Sequence, residues 1–287
     1  MHDHSSHTSN RHFGKIFAWG VGLNTSYVVL EYAMGVILNS VALQSDAVHN
    51  LTDVLSLLLS WLAFHFAASK PNDNYTFGFG KSTILSTFMN GILMLIACLF
   101  IGYECYERLL HPVPMQGLYV SVVAFVGIFV NAFTAYLFYL EKQDMNMKGN
   151  FLHMASDALV SLGVVLAGII IALTGWQMVD VLCSVVILAL IAWSAKDIII
   201  ESAKGLLNAV PEGVDIKEIR QVINNLEDVI DVHDLHIWSL STEENACIAH
   251  VIIRKNSQVN SVINVLQDEL AHHFHFHQIT IQAEYEE

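Results

Sequence analysis

The sequence predicts an α-helical membrane protein of six spanning helices, with a small α+β domain behind them. Three observations lead there. Six apolar stretches reach about 20 residues, the length a spanning helix needs, and all lie before residue 204. Charge is scarce: 54% of the 287 residues are hydrophobic, 14% are charged and the mean hydropathy is +0.49. Soluble domains carry about 25% charged residues. After Gly205 the composition changes, with 14 acidic and 4 basic residues in 205–287 and no further spanning run. These observations divide the chain into a tail (1–15), a membrane domain (16–204) and a C-terminal α+β domain (205–287).

The first span runs from about Ile16 to Leu38 and carries Glu31. The second, from about Leu43 to Ala67, carries Asp46, His49, Asp53 and His65. The third, Thr83 to Tyr103, and the fourth, Gly117 to Leu140, contain no charge. The fifth, from about Phe151 to Leu173, carries His153 and Asp157. The sixth runs from about Val179 to Ile200.

Orientation follows from the cationic residues, which favour the cytoplasmic side. Arg11, Lys15, Lys70, Lys81, Lys142, Lys148, Lys196 and Lys204 all fall on one side when six helices are threaded in order, and Arg108 alone falls on the other. Both termini are therefore expected in the cytoplasm. Residues 1–15 hold four histidines and no apolar core, so the segment does not read as a secretory signal.

Behind the helices, Asp215 to Leu226 reads as an amphipathic helix and Val229 to Leu240 and Ala246 to Arg254 as Val- and Ile-rich strands. Val259 to Phe274 reads as a second helix and Gln278 to Ala283 as a half-buried strand. Two helices on one face of a small sheet fit that order.

The net charge of −14 disfavours nucleic acid as a partner and favours cations. Cys98, Cys105, Cys183 and Cys247 form no C-x-x-C pair and read as small buried residues.

Two segments repeat one pattern. His49 and Asp53 form H-x-x-x-D on the second helix, and His153 and Asp157 form it on the fifth. Residues four apart share a helix face. Two such faces brought together offer two nitrogens and two oxygens, which suits tetrahedral zinc. A lone pair of this kind on a soluble helix is usually solvated. In a membrane an ionisable residue is expensive and marks an ion pathway.

These residues resemble the cation diffusion facilitator family of zinc transporters, of the zinc/cadmium/cobalt-resistance efflux type. The resemblance runs from Asn24, Tyr27, Glu31 and Gly35 through Ser45-Asp46-Ala47-Val48-His49 to Asp53. It continues in the loop Tyr75-Thr76-Phe77-Gly78-Phe79-Gly80-Lys81, in His233-Asp234-Leu235-His236-Ile237-Trp238 and in Ala249-His250-Val251. It implies a homodimer in the bilayer that exports Zn²⁺ in exchange for protons, with His49, Asp53, His153 and Asp157 as the transport site. The C-terminal domain is then cytoplasmic and ferredoxin-like, of metallochaperone type. The resemblance maps a second metal site onto His233, His250, His277 and Glu284. His236, three residues after His233 on a strand, is expected to face the other way.

Metal ligands must lose their protons, so binding zinc releases protons and protons can displace zinc. Asp46, two turns before Asp53 on the same face, could attract cations at the outer mouth without ligating. His2, His4, His7 and His12 form a tail that reads equally as a zinc-capturing segment or as a merely solvated one. His272, His273 and His275 read as helix-end residues. Asn24, Glu31, Asn90, Asn131 and Asp180 read either as pathway-lining residues or, preferred, as polar bonds between helices. The loop 70–81 offers Asp73 and no histidine, so no metal is expected there, and the chain ends without a C-x-x-C ligand pair. The short stretch 141–149 lacks a histidine-rich insertion, which points to a bacterial inner membrane. Two other readings are the same machine carrying Cd²⁺, Co²⁺, Ni²⁺, Fe²⁺ or Mn²⁺, and a membrane metal sensor. An intramembrane metalloenzyme would need an H-E-x-x-H or another open metal position, and none is apparent.

Overall fold

A computed structural model gives the backbone of residues 6–140 and 145–286, and the side chains of 22–134, 136 and 157–286. Six long helices come first: α1 (Ser6–Ile37), α2 (Val41–Ala67), α3 (Lys81–Leu110), α4 (Gly117–Leu140), α5 (Met145–Thr174) and α6 (Met178–Leu206). Then follow α7 (Ile216–Asn224), β1 (Val229–Ser239), β2 (Asn245–Ile253), α8 (Val259–Phe274) and β3 (Gln278–Tyr285). Every element expected from the sequence is present.

Among the described residues, α2, α3, α4, α5 and α6 are long and apolar enough to cross a membrane. The side chains of α1 are described only from residue 22, which leaves less than a span's length. The flanks are strongly apolar: Leu99 and Phe100 are each 74% exposed and Leu173 is 81% exposed. A water-facing surface rarely carries such a patch, whereas a lipid-facing one requires it. The chain is an integral membrane protein with a small domain built on a three-stranded sheet.

Contacts divide the chain into two compact units, residues 1–58 with 90–196, and residues 59–89 with 197–287. The expected single cut at 204/205 differs from this division, which passes through α2, α3 and α6.

In the first unit, small residues let α4 and α5 pack backbone to backbone. A Cβ on Gly117 would collide with the Gly168 carbonyl, and one on Gly168 would collide with Ser121. The Ser121 hydroxyl donates across to Val165 O at 2.9 Å. Close approach of this kind is a main source of helix association in lipid. Tyr27 ties α1 to α4: its ring oxygen lies over Gly127, where a Cβ would clash, and approaches Val123 O at 3.0 Å.

In the second unit, the loop before α3 is bound to the small domain. Lys81 Nζ reaches Leu206 O at 3.5 Å and the Asn208 side-chain oxygen. Thr242 N donates to Thr83 Oγ1 at 3.1 Å. Gly80 has no room for a side chain, since a Cβ there would stand 2.7 Å from Leu240 O. These bonds explain why residues 59–89 group with the C-terminal residues.

The sheet order is β1-β2-β3, with β1 and β2 antiparallel and β2 and β3 parallel. The parallel step needs a crossover, which α8 provides. Asp215 caps α7 by accepting from Lys217 N at 2.8 Å. Ile219, Ile223, Val232, Val251, Leu266 and Leu270 close the core between helices and sheet. The odd-numbered residues of β2 face that core, so His250 and its even-numbered neighbours lie on the other face. His272 and His273 fall in the last turn of α8, and His275 ends it in the left-handed conformation at φ 55°.

Candidate metal centres

His49 and Asp53 stand one turn apart on α2, and α5 brings Asp157 to them. His49 Nε2 lies 3.2 Å from Asp157 Oδ1. One ligand atom from each of His49, Asp53 and Asp157 falls within 4.8 Å of the others. Zinc bonds of about 2.0–2.2 Å place tetrahedral ligands about 3.4 Å apart, so this trio needs only a small contraction to hold the ion. Asp157 is 1% exposed. Its helix is held by the close α4–α5 packing described above. His153 lies one turn before Asp157 on α5, and its side chain is outside the described residues, as are those of His2, His4, His7 and His12.

Asp46 differs from expectation. It is fully buried and its Oδ2 accepts from the Ser161 hydroxyl at 2.8 Å. It joins α2 to α5 and does not lie at an exposed mouth. Glu31 is also fully buried. Tyr27 donates to its Oε1 at 2.9 Å and Asn50 Nδ2 to its Oε2 at 3.3 Å. Glu31 thus bonds helices together, as read from the sequence.

A second cluster lies on the open face of the small sheet. His233 and His250 are paired across β1 and β2. Glu284 reaches both: its Oε2 is 3.8 Å from His233 Nε2 and its Oε1 is 3.4 Å from His250 Nδ1. Asp234 joins them, with Oδ2 3.9 Å from His250 Nδ1. His233, Asp234 and His250 each place a ligand atom within 4.8 Å of the others. Two imidazoles and two carboxylates make a donor set that fits zinc.

Adjacent residues of a regular strand face opposite ways, so periodicity offers no reason to include Asp234. The strand is irregular here. The register shifts between His233 and His236, and Asp234 takes a left-handed φ of 47°. This bulge turns Asp234 towards His250. It also corrects the reading of His236, which pairs with Ile248 two residues along from His250 and so returns to the face of His233.

His277 does not join the cluster within this chain. It precedes β3 and donates its backbone N–H to Asn245 O at 2.9 Å. At about 3.3 Å per residue, the five steps from Asn245 to His250 put it about 17 Å away along the sheet. The strand position beside His250 belongs instead to Gln282.

Cys247 sits in the core of the same domain at 1% exposure, and burial pushes its thiol up to about 12. A thiol held protonated is a poor metal ligand.

Comparison with known proteins is consistent along the whole chain. Residues 19–207 match the profile of the cation efflux transmembrane domain, and residues 211–286 match that of the cation efflux protein cytoplasmic domain. A cadmium, cobalt and zinc/H⁺-K⁺ antiporter of Bacillus subtilis is 33% identical over 91% of this chain and 86% of its own length. The zinc transporter ZitB of Escherichia coli is 29% identical over 99% of this chain and 92% of its own. The metal cation efflux system protein CzcD of Cupriavidus metallidurans is 32% identical over 99% and 89%. A solved structure of the metal-bound C-terminal domain of that species' CzcD transporter is 32% identical, covering 25% of this chain and 99% of that one, with a TM-score of 0.24.

Proposed function

This chain belongs to the cation efflux family, and from that premise we propose that it exports zinc from the cytoplasm in exchange for protons. Its relatives are named as transporters and antiporters, and zinc recurs in those names beside cadmium and cobalt. Divalent metal efflux is therefore the activity, and zinc is the cargo best suited to a site with two imidazoles and two carboxylates. The transport site is His49, Asp53, His153 and Asp157. The protein lies in a bacterial inner membrane with six spans, α1 included, and with both termini in the cytoplasm. The domain division at residues 204/205 belongs to the same reading.

The observation that carries this is the His49–Asp157 contact. At 3.2 Å the two side chains can share one proton between Nε2 and Oδ1, or a metal can take both atoms. The two states exclude each other, because a metal-bound imidazole nitrogen cannot keep its proton. One site thereby alternates between protons and zinc, which is the chemistry of an antiporter. Calorimetric zinc titration of the full chain in buffers of different ionisation enthalpy tests it. Proton release on zinc binding, reduced in His49→Ala, supports the reading. Zinc binding without that release sinks it.

The cytoplasmic cluster of His233, Asp234, His250 and Glu284 holds a further zinc. The domain is acidic, with 14 acidic against 4 basic residues in 205–287. Bound zinc reduces the repulsion between two such domains and favours the homodimer.

A further inference from the structure

The first turn of α2 is finished by a residue far along the chain. Asp180, at the start of α6, accepts from Val41 N at 2.7 Å through Oδ2. Its Oδ1 accepts from the Ser40 hydroxyl at 2.6 Å and from Ala42 N at 3.3 Å. Ser40 Oγ in turn accepts from Leu43 N at 3.1 Å, and Ser40 O accepts from Gln44 N at 3.2 Å.

A helix leaves its first N–H groups without partners. A local side chain usually covers one or two of them. Here Ser40 covers one and Asp180 covers two. Asp180 is 3% exposed and Ser40 fully buried, so water offers those amides no ready substitute. The carboxylate also sits at the positive end of the helix dipole. Little slack exists in the turn before it. Asn39 holds a left-handed φ of 59°, and a Cβ on Gly35 would stand 2.7 Å from the Gln44 side chain.

We infer that Asp180 is a positioning residue for metal transport: by holding the first turn of α2 to α6, it fixes the height and rotation of the helix that carries His49 and Asp53. The inference rests on the transport-site reading above. Val41 and His49 are eight residues apart, about 12 Å along one continuous helix. A helix that loses its end constraint can shift or turn by a fraction of a residue. Such a shift moves both α2 ligands together relative to Asp157 on α5. Asp180 touches neither the cargo nor its ligands, so its effect appears as altered affinity and not as a missing donor.

The test is zinc-dependent flux by the full chain in proteoliposomes, with rate normalised to folded transporter. Asp180→Ala is expected to raise KM for zinc about tenfold or more, with the maximal rate within about threefold of native, as loss of bonds to a buried charged group implies. Asp180→Asn keeps one acceptor oxygen and is expected to fall between. Ser40→Ala, which removes one bond to Asp180 and the cap on Leu43, is expected to raise KM severalfold. If Asp180→Ala does not fold, the other two variants decide the matter. A reduced yield of folded protein with unchanged KM in Asp180→Asn and Ser40→Ala overturns the inference, since a purely structural bond would behave so. His49→Ala separates the two claims. If it leaves zinc flux intact, the transport-site reading fails. If it abolishes flux while the Asp180 and Ser40 variants keep native KM, only the positioning role fails.

Discussion

Asp157 Oδ1 stands 3.2 Å from His49 Nε2, so α5 meets α2 through an imidazole and a carboxylate separated by 108 residues of chain. On the proposed transport site, the donor set sets the cargo. His49→Asp removes a nitrogen donor and adds an oxygen, which moves the site towards harder ions. The ratio of manganese to zinc transport is expected to rise about tenfold or more, through loss of zinc affinity rather than faster turnover. Competition uptake with both metals measures this, and an unchanged ratio places selection elsewhere.

The cluster on the small domain predicts its own stoichiometry. Full-length His250→Ala or Asp234→Ala is expected to lose one bound zinc at equilibrium dialysis, or to bind it about 10–100-fold more weakly. His277→Ala is expected to bind as native. Loss of zinc in His277→Ala with retention in Asp234→Ala would restore the ligand set expected from the sequence.

Gly80 predicts a local packing effect. Its α-hydrogen faces Leu240 O where a Cβ would stand at 2.7 Å. Gly80→Ala is expected to push the loop off the β1–β2 turn, at a cost of about 1–3 kcal/mol. Faster proteolysis within residues 70–82 would show it, and native protection would mean that the turn accommodates a methyl group.

Cys247 gives a pH dependence with a definite sign. Burial raises its thiol from 9.0 to about 12 in the folded domain. Above pH 9 the unfolded chain loses this proton while the folded chain keeps it, so stability is complete below pH 9 and falls as pH rises towards 12. The melting temperature of the small domain's transition is expected to drop over that range, and to drop less in Cys247→Ser. Equal drops in both would assign the alkaline loss to other groups.

The sequence made the long helices legible because each apolar run exceeds what a soluble helix needs. The ends of α7, β1, β2 and α8 were legible within a few residues, since Asp215, the Val/Ile alternation and the cluster around His275 mark them. Asp180 and Glu31 were legible as polar bonds between helices, though their partners were not. Part of what stayed hidden depends on one residue's backbone. Asp234 at φ 47° breaks the two-residue period of β1, and that break brings Asp234 into the cluster and turns His236 to the face of His233. No periodicity argument anticipates a bulge. His277 was included because the resemblance mapped it there, while the register of β3 on β2 puts it and Glu284 at opposite ends of the strand. Asp46 looked like a surface lure because sequence shares out helix faces without saying which neighbour covers them. Ser161 on α5 covers this one.

The most direct test of the account is zinc flux into sealed proteoliposomes under a defined pH gradient, for the native chain and for Asp157→Ala. Flux that follows the gradient is expected in the native chain, falling at least about 100-fold in the variant, as when a metal ligand is lost. Native flux indifferent to the gradient, or a variant that transports at the native rate, would contradict it.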